Sequence, residues 1–394
     1  MTQALASALA RDDRLRAWRH HLHRHPETAF DEHETAAWAA TVLDDLGLDV
    51  VRGVGGTGVV ATLVRGSSDR AVGLRADLDG LPIQEVEGRE HGSVNPGVMH
   101  ACGHDGHLTM VLGAAAVLAE EGGFDGTVRI LLQPAEEPGR GARAMVDDGL
   151  FERFPLDALY GLHNLPGLPA GHLHVRPGPI MASEDNFEIT ITGRGGHAAR
   201  PEAVVDPLVA AAELVLALQS VVARDVPPVR PAVLSCTDLR TDGARNAIPS
   251  TVTITGDTRS FHPDVSELLE RRIRGLGAHV AAAHGATCSV RYTREFTPTV
   301  NDPGRTALAV AAAGRALGAG SVEGECDPIM PSEDFGVLAD HVPACFAFLG
   351  NGVAGARGGT PLHSSGYDFN DDIAPAGVAF FTEVVRTELA GQST

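Results

Sequence analysis

The stretch Met99 to Gly113, MHACGHDGHLTMVLG, constrains this chain more than any other. It places a thiol, Cys102, and three imidazoles, His100, His104 and His107, on a turn interrupted by glycine that runs into an apolar, helix-like segment. Thiolate and neutral imidazole are the donors that borderline-soft divalent ions prefer, and Cys102 and His104 are close enough in sequence to face one ion from a bent loop. Taken alone, the pair fits equally well a buried thiol beside histidines that only pack. Other stretches of the chain bear on that choice.

At 394 residues the chain exceeds the size at which a single core keeps growing, so two domains are expected. Lys and Arg total 31 against 51 Asp and Glu, a formal charge of -20, which argues against nucleic acid or an anionic membrane surface as a partner. Every basic side chain other than histidine is Arg; without Lys, Schiff-base catalysis and a P-loop lysine are excluded. Cys102, Cys236, Cys288, Cys326 and Cys345 are odd in number and scattered, unlike a disulfide framework, and fit a reducing cytoplasm. The N-terminus lacks the basic-then-apolar pattern of a signal peptide, and no apolar run is expected to approach the roughly 20 residues of a membrane helix. A soluble, cytoplasmic protein is expected.

Taken in order, Thr2 to Leu46 carries helical spacing broken at His25-Pro26. His20, His21, His23 and His25 project in different directions from a helix and read as structural rather than as ligands, with no carboxylate fixed nearby in sequence. Val50 to Val64 reads as a strand, a glycine-rich turn and a strand. Ala71 to Leu78 is a buried strand ending in Asp77 and Asp79, and strand ends are where open α/β sheets build their sites. A helix from about His107 to Glu121 follows, then a strand, Thr127 to Leu132, that delivers Glu136 and Glu137. Adjacent carboxylates at a strand end point apart, so one can ligate a metal while the other stays free as a base; a solvated acidic turn would show the same pair. The strand Asp157 to Leu162 hands over His163. This repeated order predicts an α/β domain with a mainly parallel sheet, helices on both faces and a site along one edge.

The texture changes near Ser183. Alternating strands and two long helices in the order β-α-β-β-α-β describe a ferredoxin-like α+β domain over residues 183–296, inserted into a catalytic domain formed by 1–182 and 297–394. Its polar loop and strand-end residues include His197, Asn246 and Arg259, each open to a structural or a binding role. After Pro298 come an Ala-rich helix, a helix start at Ser332-Glu333-Asp334, a strand Cys345 to Leu349, a loop carrying His363 and a closing helix, Ile373 to Ala390.

Collected together, HPETAFDEHET (His25 to Thr35), LRADLDGLP (Leu74 to Pro82), MHACGHDGH (Met99 to His107), QPAEE (Gln133 to Glu137), GLHN (Gly161 to Asn164), GGHAARPEAVVDP (Gly195 to Pro207), SEDF (Ser332 to Phe335) and PLHSSGYDFND (Pro361 to Asp371) occur in one order along nearly the whole length. In this the chain resembles the M20 family of metallopeptidases and amidohydrolases, in the branch of aminoacylases, hippurate hydrolases and auxin-conjugate hydrolases. The resemblance implies a site for two divalent ions held by Cys102, His104, Glu137, His163 and His363, with Cys102 bridging; the donor types themselves favour zinc or manganese and accept cobalt or nickel. It implies Glu136 as general base and His197 as a donor to the oxyanion in a partner subunit, hence a homodimer through the inserted lid and dimerisation domain. Asn246 and Arg259 are candidates for gripping a substrate carboxylate, and Asp79 for orienting a ligand histidine. His100 and His107 are assigned to helix entry or to support of the ligands. The implied reaction is hydrolysis of N-acyl amino acids. A dipeptidase or carboxypeptidase using the same site is the alternative, and a catalytically silent metal-binding scaffold a more distant one. Two departures from the family pattern, Glu202 in place of a more usual histidine and TDGARN (Thr241 to Asn246) in place of a more glycine-rich turn, bear on substrate preference rather than on the metal chemistry.

Overall fold

The computed structural model describes residues 2–391. In chain order the first part runs α1 (Gln3–Leu9), α2 (Asp12–Arg24), α3 (His33–Asp45), β1 (Asp49–Val54), β2 (Gly58–Arg65), β3 (Ala71–Asp77), α4 (His104–Glu121), β4 (Gly126–Gln133), α5 (Gly141–Asp147), α6 (Leu150–Arg153), β5 (Ala158–Pro166), β6 (Leu173–His174) and β7 (Gly178–Met181). It continues with β8 (Ser183–Thr192), β9 (Gly196–His197), α7 (Pro207–Arg224), β10 (Ala232–Thr241), β11 (Ala247–Ile248), β12 (Thr251–Ser260), α8 (Pro263–Ala283), β13 (Thr287–Phe296) and β14 (Thr299–Asn301). The last part is α9 (Pro303–Leu317), β15 (Val322–Glu323), α10 (Phe335–Ala339), β16 (Ala344–Gly352) and α11 (Ala374–Glu388).

The chain divides into two compact units, one of Met1–Ile180, Val300–Pro328 and Asp334–Thr394, the other of Met181–Thr299 with Ile329–Glu333. The first unit is built on a sheet in the order β1-β2-β4-β3-β5-β16-β6-β15. Its centre is parallel: β3 pairs in parallel with β4 and β5, and β5 with β16. The β1-β2 hairpin and the β2-β4 pair are antiparallel. Strands β3 and β16 are buried along their whole length, and their near-continuous apolar runs are what a sheet covered on both faces requires. Helix α4 is buried from His104 to Leu118, packing on β3, on α2 and on α11. It begins at His104 rather than near His107, because Gly103 at φ 92 turns the backbone into the helix there.

The second unit is an antiparallel four-stranded sheet in the order β10-β12-β8-β13, with α7 and α8 packed together and against it. Phe187, Ile189 and Ile191 of β8 alternate inward against Leu214 and Leu218 of α7 and Leu269 and Ile273 of α8. The last strand runs to Phe296, with a bulge between Arg294 and Phe296. Helix α7 is, by length and composition alone, long and apolar enough to cross a membrane. Its Ala210, Ala211, Leu214, Leu218 and Val221 are buried in the core of this unit, while Leu208, Val209 and Leu216 are exposed.

Candidate metal centre

The carboxyl ends of β3, β4 and β5 and the first turn of α4 converge on one place. His104 is completely buried, and its Nδ1 lies 2.8 Å from the carbonyl oxygen of Asp79. A carbonyl only accepts, so Nδ1 carries a proton, and in the neutral ring Nε2 keeps the lone pair that a metal takes. His163, on β5, is arranged the same way: Nδ1 donates to the Asn164 carbonyl at 2.6 Å, and Nε2 lies 3.3 Å from Cys102 Sγ. The ligand atoms of Cys102, His104 and His163 lie within 4.8 Å of one another, and so do those of Cys102, Glu137 and His363. Two groups of three donors therefore share the one thiol. His104, Glu136 and Glu137 form a third such group, which puts Glu136 beside the donors.

Asp79 serves this arrangement through more than a histidine. Its carboxylate accepts the backbone N–H groups of Glu136 and Glu137, each at 3.1 Å, while its carbonyl holds His104. The turn it holds is strained, with Ala135 at φ 47, and His363 opposite is at φ 56. Non-glycine residues in that region cost on the order of 1–3 kcal/mol each, and they persist where surrounding contacts over-determine them. His363 is anchored by its N–H to the Ala101 carbonyl at 2.9 Å, and its Nε2 reaches to 3.5 Å from Glu137 Oε2.

Burial sets the electrostatics. It pushes the Glu137 carboxyl up to about 7, with Asp79 and Asp77 adding repulsion, and it raises the Cys102 thiol well above its ordinary value, assisted by Glu137. His163 is held well below the usual imidazole range by burial and by His107. Burial also opposes charge on His104, but Asp77 and Cys102 outweigh it and raise that ring. His104 Nε2 and Glu137 Oε1 are buried without a hydrogen-bond partner among the described residues, and they stand 3.9 Å apart. A buried ring nitrogen and a carboxylate oxygen facing each other beside a thiol and a second imidazole fit a divalent cation, which takes the place of the proton on that ring.

The chain aligns with the family described as Peptidase family M20/M25/M40 over residues 73–387. It belongs to that family. Among its relatives this M20 chain is 37% identical over 366 residues to the hippurate hydrolase of Campylobacter jejuni, covering 93% of this chain and 94% of that protein. It is 37% identical over 333 residues to the N-acetyl-L-cysteine deacetylase of Bacillus subtilis, covering 84% and 79%. Among solved structures it superposes with a TM-score of 0.84 and 30% identity on a Bacillus subtilis protein described as a dinuclear metal binding peptidase from the M20 family, covering 97% of this chain and 99% of that one.

The other sequence candidates fall in different places. His107 is a support: its Nδ1 meets Asp77 Oδ1 at 2.8 Å and its Nε2 meets Asn164 Oδ1 at 2.7 Å. His100 is buried with neither ring nitrogen partnered among the described residues, and burial holds it down at about 4. Within the second unit, β9 and β11 pair so that His197 faces Ala247, which brings His197 and Asn246 together on one exposed ribbon. Arg259 is already engaged there, 2.8 Å from Glu184, 2.6 Å from Asp257 and 2.8 Å from Ser332 Oγ. It lines a cavity of about 300 Å³ on the sheet face with Glu184, Asp257 and Arg291.

Sequence reasoning passed over several buried partners of the site. Asp77 is held by Arg75, whose guanidinium also binds Gln133 and Asp334. His23 does have carboxylates, Asp105 at 2.8 Å and Glu85 at 3.0 Å, and His20 has Asp371 at 3.0 Å. The available signal was an Arg inside the apolar run of β3, which at a fully buried position demands charged partners.

Proposed function

We propose that this protein is a metal-dependent amidohydrolase that cleaves the amide bond of N-acyl amino acids, releasing a carboxylic acid and a free amino acid. The observation that carries the reading is the pair of donor triplets sharing Cys102, with Glu136 alongside. Cys102, His104 and His163 would hold one ion and Cys102, Glu137 and His363 the other, zinc or manganese being favoured by the donor set and cobalt or nickel compatible with it. Ions bound there supply Lewis acidity and lower the pKa of water from about 16 towards 7.

Glu136 is the proton carrier. Its carboxylate takes the proton from the attacking water and delivers it to the leaving nitrogen, which would otherwise depart as an unstable amide anion. The anchoring of its backbone by Asp79 keeps that carboxylate directed at the reacting centre. His197, exposed on its ribbon, is suited to donate to the developing oxyanion, a contribution typically of ~3 kcal/mol. In this reading it does so in the partner subunit of a homodimer formed through the second unit. Asn246, beside it, and Arg259 would bind the substrate carboxylate, with Arg259 exchanging Glu184 or Asp257 for that group. The assigned compartment is the cytoplasm, where a metal-bound thiolate stays reduced.

The test is amine release from N-acetyl, N-benzoyl and long-chain N-acyl amino acids by protein stripped of metal and reconstituted with zinc or manganese, with dipeptides and Glu136→Gln alongside. Turnover that returns with metal and is lost in the variant supports the assignment. Turnover confined to dipeptides would transfer it to a dipeptidase, and intact acyl substrates and dipeptides together would remove it.

A further inference from the structure

Glu32 lies in the N-terminal motif HPETAFDEHET, far in sequence from every donor of the candidate centre, and is completely buried. Its two carboxylate oxygens are both used as acceptors. Oε1 takes the backbone N–H of Ala135 at 2.8 Å, and Oε2 takes the hydroxyl of Thr57 at 2.5 Å. Ala135 is the strained residue at φ 47 that directly precedes Glu136. Ala135, Glu136 and Glu137 present three successive backbone N–H groups at this turn. Asp79 takes the second and third of these and Glu32 takes the first.

The far side of the turn is closed as well. The Ala135 carbonyl accepts from Arg140 N at 3.2 Å and Gly141 N at 2.9 Å, and a Cβ on Gly141 would stand 1.5 Å from the Pro134 carbonyl oxygen. The turn is therefore held at all three backbone N–H groups from Ala135 to Glu137 and at the Ala135 and Glu136 carbonyls, and Glu32 supplies the hold at its strained residue. We infer that Glu32 is a positioning residue of the proposed reaction: with Asp79 it clamps the Ala135–Glu137 turn and so fixes the directions of Glu136 and Glu137.

This rests on the assignment of Glu136 as the base, and it makes a distinction that charge alone does not. A glutamine reaches as far as Glu32, can accept from Ala135 with its carbonyl oxygen and can donate to Thr57 with its amide. Burial and the neighbouring Asp79 already raise the pKa of Glu32, so a neutral side chain of the same length suits the place. An aspartate keeps the charge but is shorter by one methylene and cannot reach both partners.

The experiment compares Glu32→Gln, Glu32→Asp and Thr57→Val in the full-length chain reconstituted with manganese, at a temperature where all remain folded. The readouts are kcat, KM, and amide hydrogen exchange over residues 133–139 in metal-free protein. Glu32→Gln is expected to stay near wild type in all three. Glu32→Asp is expected to lose about tenfold or more in kcat with KM little changed, as a displacement on the order of 1 Å at a reacting group does, and to exchange faster over 133–139. Thr57→Val, which frees the other oxygen of Glu32, is expected to fall between them. An aspartate variant as active as the glutamine one, or exchange over 133–139 unchanged by Glu32→Asp, would overturn the inference. A wild type that hydrolyses none of the acyl substrates would count against the assigned reaction instead, and the exchange comparison would still decide whether Glu32 holds the turn.

Discussion

His23 Nδ1 lies 2.8 Å from Asp105 Oδ2, both side chains fully buried, and the same ring reaches Glu85 Oε1 through Nε2 at 3.0 Å. Asp105 follows the proposed ligand His104, so this contact ties α2 to the first turn of α4. Burial alone would depress the His23 pKa, but the hydrogen bonds to Asp105 and Glu85 outweigh it and raise the ring to about 9. A raised histidine contributes stability that is fully present below its unfolded pKa of about 6.5 and is lost as pH rises through the folded value. His23→Gln is therefore expected to lower unfolding stability at pH 6 by about 3–5 kcal/mol, the usual cost of removing one partner of a buried pair. Urea unfolding of both proteins at pH 6 and pH 9.5 checks this, and the gap should narrow at the higher pH. A gap independent of pH would mean that the ring is held neutral.

The sharing of Cys102 between two donor groups makes a prediction about stoichiometry. Cys102→Ser is expected to weaken both metal sites, because the serine hydroxyl is a far poorer donor than thiolate for a borderline-soft ion. Metal content after dialysis, measured by atomic emission, should fall well below that of wild type at both positions. Full occupancy of one site in the variant would show that Cys102 serves a single ion.

Gly103 is needed for its backbone and for its lack of a side chain. It has φ 92, and an added Cβ would stand 2.2 Å from Asn164 Oδ1 and 2.5 Å from the Tyr367 hydroxyl. Gly103→Ala combines left-handed strain with overlap in a packed interior, so a loss of about 2 kcal/mol or more is expected. Thermal unfolding measures it. An unchanged midpoint would require Asn164, and with it His107, to move at no cost.

Arg75 is an inside residue of β3 with Asp77, Gln133 and Asp334 as partners. Arg75→Met preserves much of the volume but takes the guanidinium from two buried carboxylates, so it is expected to cost about 3–5 kcal/mol. Unfolding in urea reports the loss. Because Asp77 in turn holds His107, manganese affinity should weaken in parallel, and affinity equal to wild type would separate the Arg75 network from the donors.

Much of the fold could be read from local pattern. The apolar runs at Ala71–Asp77 and Ala344–Gly352 declare strands buried on both faces, and the alternation at Ser183–Thr192 declares one with a single covered face. The start of α4 was misplaced because a glycine entering a helix looks the same in sequence as one in a loop. The proposed site residues were visible for their motifs. His104 opens α4 with Cys102 two residues before it, Glu136 and Glu137 lie on the turn between β4 and α5, and His163 is in the second half of β5, where short motifs keep their meaning.

The partners of those donors were not visible. That Glu32 holds Ala135, that Asp77 is shared by Arg75 and His107, and that His23 meets Asp105 each depend on pairing across long stretches of chain. By itself the sequence determined which elements form and which side chains have metal-binding chemistry, because propensity, periodicity and donor type are local properties. Only the tertiary structure decided which carboxylate faces which backbone N–H or ring. The reason is that burial obliges every polar group to find a partner, while nothing local dictates which of several chemically equivalent partners the folded chain brings within 3 Å.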